Sequence, residues 1–122
     1  MGNRVVVGFQ NYKNEPTIYL YIHWGDEKYR DLAAGIERAS SRWNDPSYAT
    51  RIVISQMIGN DWESTTGYGL FVDKFALPDY DDICIARWHE RKVVKVNATD
   101  VEEEYETFTL DEFIETHKKE GN

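Results

Sequence analysis

Thr17-Ile-Tyr-Leu-Tyr-Ile-His-Trp24 is the stretch on which the fold turns. Ile18, Leu20 and Ile22 fall on one face and Thr17, Tyr19, Tyr21 and His23 on the other, the two-residue period of a strand. Just upstream, residues 4–10 (Arg-Val-Val-Val-Gly-Phe-Gln) are β-branched and run into a polar turn at Asn11–Glu15, so the two segments read as an opening hairpin. Downstream, Gly25-Asp26 breaks the strand and the period changes. From Glu27 to about Ser40, the residues Tyr29, Leu32, Ala33, Ile36 and Ala39 recur at helical spacing. A second helix is announced by Asp45, suited to an N-cap, and by Pro46 at the first position, where no amide donor is needed. It carries Tyr48, Ala49, Ile52, Val53, Gln56 and Met57, and Gly59-Asn60 supplies a left-handed stop. The β-branched run Ile52-Val53-Ile54 would also suit a strand.

Trp62–Gly69 is a polar, glycine-containing loop leading into Leu70-Phe71-Val72, and Pro78 to Asp82 is a turn. Ile83–Trp88 and Lys92–Asn97 make a second hairpin around His89-Glu90-Arg91. Asp100–Glu106 holds five carboxylates in seven residues and reads as an exposed, solvated linker. Thr109-Leu-Asp-Glu112 is a capping-box pattern that opens a short helix bearing Leu110, Phe113, Ile114 and His117 on one side. The order is β-β-α-α-β-β-β-α. Strands that arrive as hairpins, without a crossover helix between each pair, predict an α+β fold: a mainly antiparallel sheet of about five strands covered by two or three helices. With 122 residues, the chain is expected to form a single domain over 1–122.

Aromatic residues reach 14%, enough large rings to exclude a wholly disordered chain. No apolar run is long enough for a membrane span, and the first residues lack the apolar core of a signal peptide. Cys84 is the only cysteine, so an internal disulfide is excluded and a reducing cytosol is expected. The net charge of −8 is unevenly placed: residues 1–61 hold seven charges of each sign, and residues 62–122 hold seven basic against fifteen acidic. Such a field repels nucleic-acid backbones and keeps a small chain in solution, so no direct nucleic-acid partner is expected.

The densest polar and aromatic constellation lies between residues 23 and 68: His23, Trp24, Arg42, Trp43, Tyr48, Arg51, Gln56, Asn60, Trp62 and Tyr68. Arginine offers a planar fork that matches phosphate, and Trp or Tyr faces stack on a base, so this set suits a nucleotide-like ligand. The competing reading makes Trp24, Trp43 and Trp62 core rings covered by arginine stems. His23 ends a strand beside a glycine turn, a position from which acid–base chemistry can act. His89 and His117 read as surface residues. Metal ligation has little behind it, because there is no cysteine pair, no histidine pair at i and i+4, and no calcium loop. Asp79, Asp81 and Asp82 read as a solvated turn. Cys84 sits in an apolar strand, where it acts as a small hydrophobe, and no serine stands in a nucleophile elbow. No cofactor motif is present; Gly67-Tyr-Gly69 lacks the glycines of a phosphate-binding fingerprint.

Several patches in order resemble a family of small uncharacterised proteins common in tailed bacteriophages and prophages. They are Met1-Gly-Asn-Arg4, Tyr21-Ile-His-Trp24, Asp45-Pro-Ser-Tyr-Ala49, Gln56-Met-Ile-Gly-Asn60, Thr66-Gly-Tyr-Gly69 and Thr109-Leu-Asp-Glu-Phe113. The pattern often reads His-Trp-Asn-Gly-Gly where this chain has His23-Trp-Gly-Asp26, which leaves the shape of that turn and any role of Asp26 open. The resemblance implies a protein of the cytoplasm of an infected bacterium, of the kind that counters host defences by non-covalent binding.

Two readings follow, neither with turnover. In the leading one, the protein sequesters a nucleotide-derived signal. Arg42, Arg51 and Arg4 would contact phosphate, Trp24, Trp43 or Tyr68 would stack, and His23, Tyr48, Gln56 and Asn60 would complete the pocket. In the alternative, an acidic surface of Asp79, Asp81, Asp82, Glu102, Glu103 and Glu104 occupies a basic nucleic-acid channel of a host defence complex. A third reading, a small acid–base enzyme using His23 with Asp26, lacks a nucleophile, metal or cofactor motif. A free strand edge would also allow a homodimer.

Overall fold

The computed structural model describes residues 5–23, 25, 27–72, 82–97 and 100–118. Arg4, Trp24, Asp26, Asp79, Asp81 and the turn expected at Pro78–Asp82, up to its last residue, lie outside the described residues.

The opening hairpin forms as its pattern dictates. β1 (Val5–Gln10) and β2 (Ile18–Ile22) pair antiparallel, with Val7 opposite Leu20. The helical spacing becomes α1 (Lys28–Arg38), and Asp45-Pro46 starts α2 (Pro46–Ile58). The run Ile52-Val53-Ile54 is helical: Val53 and Ile54 are buried beneath α2, and tertiary packing overrides their β propensity. Gly59, at φ +62°, ends the helix. β3 (Tyr68–Val72) then returns antiparallel along the outer edge of β2. β4 (Asp82–Arg87) and β5 (Lys92–Asn97) form the second hairpin. α3 (Leu110–His117) opens on the predicted capping box: Glu112 N donates to Thr109 Oγ1 at 3.0 Å and Thr109 N to Glu112 Oε1 at 2.8 Å.

The fold is α+β; the described residues form three α-helices and a six-stranded mixed sheet in the order β3-β2-β1-β4-β5-β6. Two features depart from expectation. The acidic stretch is not a linker but the start of β6 (Asp100–Thr109), which pairs with β5 in a ladder whose register shifts around Val96. Two basic side chains explain its place there: Lys95 pairs with Glu106 at 3.3 Å, and Arg87 pairs with Glu104. β1 and β4 are parallel neighbours, with Val7 beside Cys84, so the two hairpins join at the centre of the sheet.

The helices share one face, where Val5, Val7, Phe9, Leu20, Cys84 and Val93 of the sheet meet Leu32, Ile36, Val53 and Phe113. The other face is also buried, through Val6, Tyr19, Ile83, Ile85, Val94 and Val96. A strand buried on both sides explains why these segments are so rich in β-branched residues. α1 and α2 approach closely at Gly35, where an added Cβ would stand 2.9 Å from Val53 Cγ1. His117 is buried rather than on the surface, because α3 docks on α1 and carries it between the Phe113, Tyr29 and Phe108 rings at 4.6, 5.2 and 5.6 Å. His89 is also largely covered, with Nε2 3.1 Å from Gln10 Oε1.

Candidate functional site

On the helix-covered face, α2 lies over β1 and β2 but leaves the edge strand β3 uncovered. Leu70 and Val72 there remain 55% and 58% exposed. Between α2 and these outer strands runs a groove of about 300 Å³. Ile18, Ile54, Leu70 and the Trp62 indole give it apolar walls, and Asn11, Ser47, Thr50 and Arg51 also border it, leaving an almost wholly apolar lining. An apolar trough bordered by a few polar side chains has the form of a small-ligand site. Beyond Trp62 and Leu70, which line both spaces, a second cleft of about 170 Å³ continues past Asp61, Ser64 and Tyr68.

Polar side chains bordering the groove are fixed from the core outward. The indole nitrogen of Trp88, buried to 1% exposure, can only donate, and it donates to Thr50 Oγ1 at 2.9 Å. The Thr50 hydroxyl therefore spends its own proton on Asn11 Oδ1, at 2.6 Å. That bond fixes the Asn11 amide, whose N–H groups have no partner among the described residues. Arg51 stands on the next residue of α2, exposed. It is the only described arginine with no ion pair, hydrogen bond or ring contact. Arg30 pairs with Glu27, Arg38 donates to Gln56, Arg87 pairs with Glu104, and Arg91 donates to Asn44. Arg42 pairs with Asp45 at 3.3 Å and covers the Tyr48 ring at 4.7 Å.

The sequence-predicted residues are therefore dispersed. Arg51 enters the groove and Tyr68 the adjoining cleft. Arg42 and Tyr48 engage one another beside the start of α2. Trp43 is part of the packing, its indole N–H donating to the Ile36 carbonyl at 2.9 Å. Gln56 ties α2 to α1 through Arg38 at 3.0 Å, and Asn60 is exposed in the 3-10 turn after α2. His23 follows β2 in the parity of Tyr21, on the sheet face away from the groove, with Nδ1 3.1 Å from the Tyr21 hydroxyl. Of the acidic set, Asp82, Glu102 and Glu103 lie on β4 and β6, their side chains outside the described residues, and Glu104 is committed to Arg87. Among the described residues, no three His, Cys, Asp or Glu side chains gather to hold a metal ion, and no helix is long and apolar enough to cross a membrane.

Sequence reading missed Asn11, Thr50 and Asp61. Thr50, a polar residue between the buried Ala49 and Val53 on the inner side of α2, carried the one available signal. Asn11 read only as a turn residue because its partner is 39 positions away.

Burial pushes the Tyr68 hydroxyl above its ordinary pKa, and the Asp61 carboxylate beside it adds to the rise. Tyr68 therefore stays protonated and donates towards Asp61 Oδ2, at 3.5 Å. Comparison of the chain with protein-family models, with curated proteins and with solved structures finds no match.

Proposed function

We propose that this chain is a phage-encoded binding protein that holds a small nucleotide-like anion non-covalently and acts as a counter-defence factor by sequestering a nucleotide-derived signal. The observation that carries this reading is Arg51. Arg51 borders a mostly apolar groove and has no protein partner among the described residues, and Asn11, its oxygen bonded to Thr50, borders the same groove. Two donors of this kind suit the oxygens of a phosphate, and the Trp62 face suits a base. The phage setting comes from the sequence resemblance. The acidic-inhibitor alternative is less well supported, since Glu104 and Glu106 are already spent on Arg87 and Lys95.

Native mass spectrometry of the protein purified from a bacterium with nucleotide-based defences tests the reading. A retained molecule of nucleotide mass, lost in Arg51→Ala, is the expected result. A charge-assisted hydrogen bond contributes about 1.5–3 kcal/mol, so affinity in the variant should fall roughly ten- to a hundred-fold. A ligand-free protein that ignores added mononucleotides and cyclic nucleotides would rule out sequestration.

A further inference from the structure

The two ends of the groove have opposite hydrogen-bonding character. At the Arg51 end the groups without a partner among the described residues are donors: the guanidinium, and the N–H groups of the Asn11 amide, whose oxygen accepts from Thr50. At the far end they are acceptors. Ser64 spends its hydroxyl proton on the Thr66 carbonyl at 2.9 Å, while its oxygen accepts from Thr66 N at 3.3 Å. Tyr68 spends its proton on Asp61, which leaves the phenolic oxygen and the remaining carboxylate lone pairs open. Trp62 and Leu70 are common to both spaces, so one ligand can lie against both ends. From Arg51 to Ile58, where α2 ends, the helix axis advances about 10 Å, and Asp61 lies one 3-10 turn further on. The two ends therefore stand at most about 16 Å apart, within the combined reach of a nucleoside monophosphate and the flexible Arg51 side chain.

We infer that the cleft of Asp61, Ser64 and Tyr68 reads the base, and selects one bearing an exocyclic amino group over its keto counterpart. The inference rests on the nucleotide-binding reading above and adds the specificity. An amino group brings two N–H donors to a set of oxygens that offers none. A carbonyl at the same place would set oxygen against oxygen, and its neighbouring ring N–H could meet the Asp61 carboxylate only if the base shifted in the cleft, which costs more than a weak contact forgoes. The same logic orients the ligand, because a phosphate is repelled from the Asp61 end and drawn to Arg51.

Isothermal titration of the full chain with CMP, UMP, AMP and IMP tests it, since in each pair the amino group becomes a keto oxygen and the ring nitrogen beside it changes from acceptor to N–H donor. The expected result is that CMP and AMP bind at least tenfold more tightly than UMP and IMP. Asp61→Asn, which puts a donor at the rim, should bring each pair to within about threefold while Arg51→Ala weakens all four alike. Equal binding of all four, unaffected by Asp61→Asn but lost in Arg51→Ala, would overturn the amino selection and leave nucleotide binding standing. Binding of none of the four would overturn both. Asp61 is exposed at the end of a turn, so Asp61→Asn leaves the core intact, and a thermal melt matching the parent chain checks that it does.

Discussion

Thr50→Val is the substitution that most directly tests how the groove is built. Valine keeps the volume and branching of threonine, so packing beneath α2 is preserved and only the hydroxyl is lost. Two hydrogen bonds go with it, and they are unequal. The Trp88 indole N–H, at 1% exposure, has no water to turn to and is left unsatisfied, a loss of about 1–3 kcal/mol. Asn11 is only half-buried, so water replaces the Thr50 hydroxyl at little cost. The expected destabilisation is therefore about 2 kcal/mol. For a domain of this length that lowers the melting temperature by roughly 8 °C. Urea denaturation followed by circular dichroism gives the free energy, and a double-mutant cycle identifies its source. In a Trp88→Phe background the buried N–H no longer exists, so Thr50→Val should cost about 2 kcal/mol less there than in the parent chain. Thr50→Ser keeps the hydroxyl and should stay within about 1 kcal/mol of the parent. Equal costs in both backgrounds, or a Thr50→Val variant as stable as the parent, would refute the relay from Trp88 through Thr50 to Asn11.

Gly35→Ala should destabilise the chain by about 1 kcal/mol: helix propensity gains roughly 1, but overpacking costs more. The new Cβ would stand 3.2 Å from Val53 Cα, a backbone atom that cannot swing aside, so a urea midpoint above that of the parent would contradict the close α1–α2 approach. Asp31 has its carboxyl pKa raised above 3.8, first by burial and then by Glu27, with Arg30 opposing. The folded chain then binds that proton more tightly than the unfolded chain, and this residue's contribution to stability declines as pH rises through the carboxylate range. Asp31→Asn should therefore gain on the parent at neutral pH and lose that gain at about pH 3.5, near the unfolded value; urea midpoints that differ equally at both pH values would sink this.

The local elements were legible because local chemistry makes them. The alternation of Ile18–Ile22, the Asp45-Pro46 start and the Thr109/Glu112 capping box each act within a few residues, and each is found where its pattern places it. The pairing of β1 with β4 was not legible, since Val7 and Cys84 are far apart in the chain and nothing in either strand names the other. β6 was hidden by its charge. Five carboxylates in seven residues look like solvated chain until Lys95 and Arg87 on neighbouring strands are seen to pair with two of them. The site suffered the same loss twice over. A list of arginines and aromatics shows which side chains can bind an anion, but not which are already satisfied; Arg42 and Arg51 look alike in sequence, and Asp45 with Tyr48 makes the difference.

The anion binding proposed for the groove has to be reconciled with a chain of charge −8, and the strand order supplies the physical account. β3 and β6 are opposite edges of the six-stranded sheet. Five strand spacings separate them, about 24 Å at roughly 4.8 Å each. Physiological salt screens exposed charges over about 8 Å, so the carboxylates of β6 are nearly invisible at the Arg51 rim. Every residue proposed to hold the ligand falls between Asn11 and Leu70, and of the fifteen acidic residues of the second half only Glu63 lies within that span. The surplus acts instead on encounter: it slows the approach of long nucleic acids, whose many phosphates sample the whole surface, far more than that of a mononucleotide, which need only reach one edge. The same charge that argues against a nucleic-acid partner thus leaves a small phosphorylated ligand largely unopposed.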